Sequence, residues 1–200
     1  MVVTYVSGDA IVDYGNDPKA LIVQQNNCTA RKNPSGSFAW SIARLLGVDP
    51  YALRAARGDG IFPNLAKKDH REKMGDVLIF GEGNEDTARV ACLFAQYRMG
   101  VSGSQYYLNS LRVDQEYKTT PDDTDTRLKT FRMCLEKLKG KILNGDNNNL
   151  NVDTIVFPER IGCDRAGGDW SKYLREIEHF AKELKLEKHD ASVIICKLKK

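Results

Sequence analysis

The chain has 200 residues, of which 42% are hydrophobic and 28% charged, with a formal net charge of +3. That length buries a sizeable core without disulfides or metal, and the composition is that of an ordinary soluble domain. The positive excess is too small to point to a nucleic-acid surface, and no apolar run approaches the ~20 residues a membrane helix needs.

In chain order, residues 2–6 read as a short strand closed by Ser7-Gly8-Asp9. Residues 21–25 form a second, apolar at its start and polar at its end, the pattern of a buried strand opening into a site. A polar loop through Arg31 and Lys32 leads to a helix over 38–46, ended by Gly47 and Pro50. Residues 49–74 mix aromatics and charges and read as a long loop with a short helix near 51–57 and an exposed His70. Residues 75–80 and 87–96 are strands on either side of a turn at 81–85. A glycine-, serine- and tyrosine-rich loop over 99–120 is expected to drape over the site, with Tyr97, Tyr106 and Tyr107 either flanking it or packing the loop. Pro121-Asp122-Asp123 reads as a helix start, with acids at the positive end of the dipole. Phe131, Cys134, Leu135, Leu138 and Ile142 would form that helix's buried face. A polar loop over 144–151 feeds the apolar run 152–157. A helix with Trp170, Tyr173, Leu174, Ile177, Phe180, Ala181 and Leu184 on one stripe follows, then a strand over 191–198. The lysine-rich end (Lys197, Lys199, Lys200) reads as a solvated tail. Strands alternating with helices predict a three-layer α/β/α sandwich with a mixed, largely parallel central sheet, in one domain spanning 1–200.

The five cysteines (Cys28, Cys92, Cys134, Cys163, Cys196) form no C-x-x-C pair, and the three histidines are isolated. No metal or cofactor is expected. Cys92, Cys134 and Cys196 lie in apolar patterns and read as small buried hydrophobes. With no signal peptide, the expected setting is cytoplasmic or nucleocytoplasmic, away from membranes, and the expected state a monomer.

The organising stretch is Ile161-Gly162-Cys163-Asp164-Arg165-Ala166-Gly167-Gly168-Asp169-Trp170. A strand, a glycine loop and a helix N-terminus in succession aim free backbone N–H groups and the helix dipole at one point, which suits an anion such as phosphate. A tight turn whose glycines serve only packing is the alternative. A dinucleotide site of the Rossmann type is disfavoured, because no G-x-G-x-x-G follows the first strand.

Several segments together resemble the macro domain, the ADP-ribose-binding family: Gly8-Asp9-Ala10, Val23-Gln24-Gln25-Asn26-Asn27-Cys28, Leu93-Phe94-Ala95-Gln96-Tyr97, and above all Ile161-Gly162-Cys163 with Ala166-Gly167-Gly168-Asp169-Trp170. The last is similar to a branch holding ADP-ribose 1″-phosphate phosphatases and terminal ADP-ribose glycohydrolases. The resemblance implies that Asp9 meets the adenine amino group, the Ala10 backbone a ring nitrogen, and Asn27 the distal ribose. Gly36, Ser37 and Phe38 would form a first phosphate loop, and Gly162, Cys163, Asp164, Arg165 and Ala166 a second. The implied partner is ADP-ribose or a related nucleotide, free or carried on protein or nucleic acid.

The departures are specific. Ser37 stands where the family has a second glycine, and Asp164 and Arg165 where it has glycine and an aliphatic residue. Gln96 is the nearest match to the glycohydrolases' lysine, and Ala166 falls at their aspartate. If there is hydrolysis, the resemblance favours phosphate removal, with Asp169 or Asp164 orienting water and Arg165 offsetting phosphate charge. Cys163 has no histidine near it in sequence and is a poor candidate nucleophile. The alternative is a non-enzymatic reader or sponge for such nucleotides. The match of Asp164 to a glycine suggests a left-handed backbone there, and Gly162 is expected to tolerate substitution without loss of fold.

Overall fold

The computed structural model describes residues 3–58, 62–81, 85–103, 113–144 and 150–199. Six strands, β1 (Thr4–Ser7), β2 (Ala20–Asn27), β3 (Val77–Phe80), β4 (Arg89–Gln96), β5 (Thr154–Pro158) and β6 (Ser192–Lys197), join in one sheet of order β1-β6-β5-β2-β4-β3. All pair in parallel except β3, which runs antiparallel to β4 at the edge. The helices are α1 (Ala10–Tyr14), α2 (Phe38–Leu46), α3 (Gln115–Thr119), α4 (Thr124–Asn144) and α5 (Trp170–Leu186).

The central strands are apolar at nearly every position because both faces are covered. Leu21 and Val23 of β2, Leu93 of β4 and Ile155 and Phe157 of β5 face a cluster with Phe131, Leu135 and Leu138 of α4 and Tyr173, Ile177 and Phe180 of α5. The alternate residues Ala20, Ile22, Val90, Cys92, Phe94 and Val156 face a second cluster with Ile11 of α1, Ile42 of α2, Tyr51 and Tyr117. The architecture is the expected three-layer sandwich. One outer layer is α4 with α5. The other is α1 and α2, completed by irregular chain.

Several local expectations change. Helix α1 is a single turn too short to show periodicity, and so is α3. The stretch 51–57 is a series of turns; order there comes from tertiary contacts, since Ala56 bridges Ala66 and Ala30 bridges Leu65. His70 is half-buried, and its Nδ1 accepts from the Ala55 N–H at 3.1 Å. Lys197 belongs to β6, and its carbonyl accepts from the Gly8 N–H. Asp123 does start α4, accepting from the Thr126 N–H at 2.7 Å, but Asp122 turns inward and is fully buried. All five cysteines are buried and free. Among the described residues no helix is long and apolar enough to cross a membrane. Val2, Lys200, Tyr106, Tyr107, most of the 81–85 turn and most of the 144–151 loop lie outside the described residues.

Candidate functional site

Strands β2 and β5 are neighbours, yet the chain leaves them in opposite directions. From β2 it passes to α2 and on to β3 and β4 on one side; from β5 it passes through α5 to β6 on the other. Helices α2 and α5 also lie on opposite faces. In open α/β sheets a crevice opens beyond the strands' carboxyl ends at such a switch point, and ligands bind there.

The loop 162–168 lies between the carboxyl end of β5 and the start of α5, beside that switch point. Gly162 has φ +72°, and a Cβ built on it would lie 2.5 Å from Gln25 Oε1 and 2.5 Å from Tyr173 Cε1. Neither neighbour can yield easily. Gln25 Nε2 donates to Gln96 Oε1 at 2.9 Å, Gln96 Nε2 donates to the Arg98 carbonyl at 2.9 Å, and Tyr173 is wholly buried. Gly162 thus sits on a polar floor built from the ends of β2 and β4 and from α5. The Gly168 N–H donates back to the Gly162 carbonyl at 3.0 Å, closing the loop on itself. Gly167 (φ +75°) passes beside Val101, so the loop after β4 covers its outer side.

On the other side of the switch point lies the end of β2. Asn27 ends that strand, and its Oδ1 accepts from the N–H groups of Thr29 and Ala30 at 3.2 and 2.7 Å, an Asx turn that reverses the chain. Tyr51, from the stretch least legible in sequence, clamps the same strand end: its hydroxyl donates to the Asn27 carbonyl at 3.0 Å and accepts from the Asn27 N–H at 3.1 Å. Burial raises the Tyr51 pKa, so it stays a neutral donor. Gly36 is exposed with φ +68°, Ser37 caps α2 by accepting from the Trp40 N–H at 3.1 Å, and Phe38 begins the helix. The substitution of serine for the second glycine therefore has a local reason, a helix cap. Farther along the same edge, Asp9 caps α1, its Oδ1 accepting from Ile11 and Val12 at 2.9 and 3.2 Å, and Ala10 is buried beside it. The structure thus brings Asp9, Ala10, Asn27, Gly36, Ser37, Phe38 and residues 162–166 to one edge of the sheet.

The two carboxylates are less poised for chemistry. Asp169 Oδ1 accepts from the Ser171 hydroxyl at 2.7 Å and N–H at 2.9 Å, capping α5, and these bonds hold its carboxyl below the usual aspartate range, which weakens it as a base. Asp164 is exposed and pairs with Arg160 at 2.7 Å, not with Arg165. Nor is Asp164 left-handed; the non-glycine residues with positive φ among those described are Arg160 and Lys188. Arg165 is exposed, and Ala166 is buried. Burial pushes the Cys163 thiol up to about 12, which removes it as a nucleophile at neutral pH. Among the described residues no cluster of three histidine, cysteine or carboxylate side chains could hold a metal ion.

Because Asp164 is already balanced by Arg160, Asp164→Gly is expected to leave thermal stability unchanged, as for most exposed pairs. It should tighten binding of a phosphate-bearing ligand by a few-fold, the gain fading as salt rises. Titrations at two salt concentrations check this, and weaker binding would mean that Asp164 touches the ligand or its water.

Sequence reasoning missed Arg127 and Asp122, which tie the loop after β4 to the loop 162–168. A signal was present: Arg127 continues the buried stripe of α4 one turn before Phe131. A charge on an apolar stripe marks a buried partner.

No family model matches the chain, and no curated protein matches it in sequence. Solved structures do. The macrodomain of Trypanosoma brucei in complex with ADP superposes with a TM-score of 0.55 at 13% identity, over 99% of this chain and 64% of that one. The same protein in complex with ADP-ribose gives 0.51 at 14%, over 98% and 62%. A point mutant of the Oceanobacillus iheyensis macrodomain gives 0.50 at 14%, over 97% and 82%. The chain thus spans less than two thirds of the trypanosomal chains and most of the bacterial one. At these identities the likeness is one of fold: this chain has the macrodomain fold.

Proposed function

We propose that the chain binds ADP-ribose or a close derivative in the crevice over the ends of β2 and β5. The observation that carries the reading is the glycine loop 162–168, seated between β5 and the N-terminus of α5 at the switch point. From β1 to β2 is three inter-strand steps, about 14 Å, so a ligand meeting Asp9 at one end and Asn27 at the other must be elongated, with its anionic middle over β5. A nucleoside diphosphate sugar has that order of parts. The trypanosomal macrodomain with ADP-ribose bound supports the same reading by analogy of fold.

Non-enzymatic reading is the form of this function with more support. Asp169 is held as a helix cap, Asp164 is engaged by Arg160, and Gln96 belongs to the polar floor. Phosphate removal from ADP-ribose 1″-phosphate rests only on the Gly167-Gly168-Asp169-Trp170 resemblance. A thermal-shift panel of ADP-ribose, its 1″-phosphate, NAD and AMP tests binding; a specific ligand at a hundred times its Kd adds about 2.7 kcal/mol. Phosphate release from the 1″-phosphate separates hydrolase from reader.

Asp9 gives a sharper test, because it already caps α1. Asp9→Ala loses both the cap, worth about 1 kcal/mol, and any adenine contact. Asp9→Asn keeps an acceptor for the cap but turns the second oxygen into an amide donor facing an amine. It should leave the melting temperature nearly unchanged and weaken ADP-ribose about tenfold or more. Unchanged affinity by calorimetry removes Asp9 from the adenine site.

A further inference from the structure

Arg127 spends all of its side-chain donors on backbone and one carboxylate. Nε donates to Asp122 Oδ1 at 3.0 Å and Nη2 to Asp122 Oδ2 at 2.6 Å, with a longer bond to the Arg98 carbonyl at 3.4 Å. Nη1 divides its two protons between two different loops, the Gly100 carbonyl at 2.8 Å and the Ala166 carbonyl at 2.8 Å. These five bonds exhaust the guanidinium fork. Asp122 in turn accepts from the N–H groups of Tyr97 and Arg98 at 2.8 and 2.9 Å. The Ser102 N–H adds a direct bond to the Ala166 carbonyl at 3.2 Å.

A trans peptide points its C=O and the next N–H in opposite directions. No cis bond is present among the described residues, so drawing the Ala166 carbonyl toward Arg127 turns the Gly167 N–H the other way. The same holds for Gly100 and the N–H of Val101. A single buried cation therefore sets the facing of a peptide in each loop.

We propose that Arg127 is a positioning residue: it orients the Ala166–Gly167 peptide so that the Gly167 N–H faces a ligand phosphate, and it makes loops 97–103 and 162–168 move as one body. The phosphate part rests on the ADP-ribose reading; the coupling of the loops does not. Lysine would keep the charge beside Asp122 but has three donors from one atom, too few and too compact to reach both loops and the carboxylate.

The test is Arg127→Lys, read by amide hydrogen exchange and by ADP-ribose titration. Exchange at the Ser102 and Gly168 amides should speed up at least tenfold, while the Ile22 and Val156 amides of the core keep their rates, and ADP-ribose affinity should fall at least tenfold. Global weakening alone would accelerate core and loop amides together. Unchanged exchange at either loop amide, or acceleration shared equally with the core, overturns the proposal. Should the variant fail to fold, the Arg127 Nε–H resonance of the unmodified protein gives a second readout: it should shift on adding ADP-ribose although no contact is expected, and a resonance that stays put at saturation overturns the proposal. If the unmodified protein binds no ADP-ribose, the functional reading fails, and the exchange arm still decides the coupling.

Discussion

Replacing Asp122 with alanine is expected to be among the most damaging single changes in the chain, lowering stability by about 3–5 kcal/mol. The side chain is fully buried and receives bonds from Arg127 Nε and Nη2 and from the N–H groups of Tyr97 and Arg98. Its removal leaves a guanidinium and two amides in the interior without that acceptor, and a cation stripped of its partner there has no cheap alternative. For a chain of this size the loss corresponds to roughly 6–20 °C in the melting temperature. Asp122→Asn keeps one acceptor oxygen but turns the other into an amide donor facing two N–H groups, because each carboxylate oxygen accepts from Arg127 and from a backbone amide; it should recover only a small part of the loss. Thermal and denaturant unfolding check both, and a melting temperature within about 2 °C for the alanine variant would show that the pair contributes little.

The second large effect is expected at Gly162. Any side chain there incurs the cost of a left-handed backbone, about 1–2 kcal/mol, and presses a Cβ against Gln25 and Tyr173 at 2.5 Å, worth another 1–3 kcal/mol or so. Gly162→Ala should therefore lose about 2–5 kcal/mol of stability as well as ligand affinity, and Gly162→Glu should do worse. This reverses the expectation that Gly162 tolerates substitution without loss of fold. Gln25→Ala in the same chain should recover part of the loss by opening one side of the floor, while the Tyr173 ring still blocks the other. If Gly162→Ala melts with the unmodified protein, the close packing beneath the loop is wrong.

The strands and long helices were legible because their signals are local. The run 21–23 is apolar throughout, and the stripe from Tyr173 to Leu184 repeats at helical spacing. The succession of strand β5, glycine loop and helix α5 was legible for the same reason, since strand ends, glycines and helix starts are local signals. What held the loops in place was not. Tyr51 clamps Asn27 from a segment with no periodicity, and Arg54, from the same segment, donates to the carbonyls of Cys28 and Ala30 at 2.7 Å each. Arg98 likewise holds the carbonyls of Tyr117, Lys118 and Thr120. Such buried arginines tie irregular backbone across long sequence separations, and nothing beside them in sequence reveals the partner. Asp164 shows the reverse error: a glycine match suggested a left-handed backbone, but Arg160, four residues earlier, adopts it, with φ +63°.

The most direct test of the central claim is an amide NMR titration of the unmodified protein with ADP-ribose. The account predicts saturable shifts concentrated at Asp9 and Ala10, at residues 36–40 and at 162–168, with Gly167 among the largest. No shifts at millimolar ligand, or shifts confined to the separate groove lined by Lys68, Arg71, Met74 and Tyr97, would contradict it.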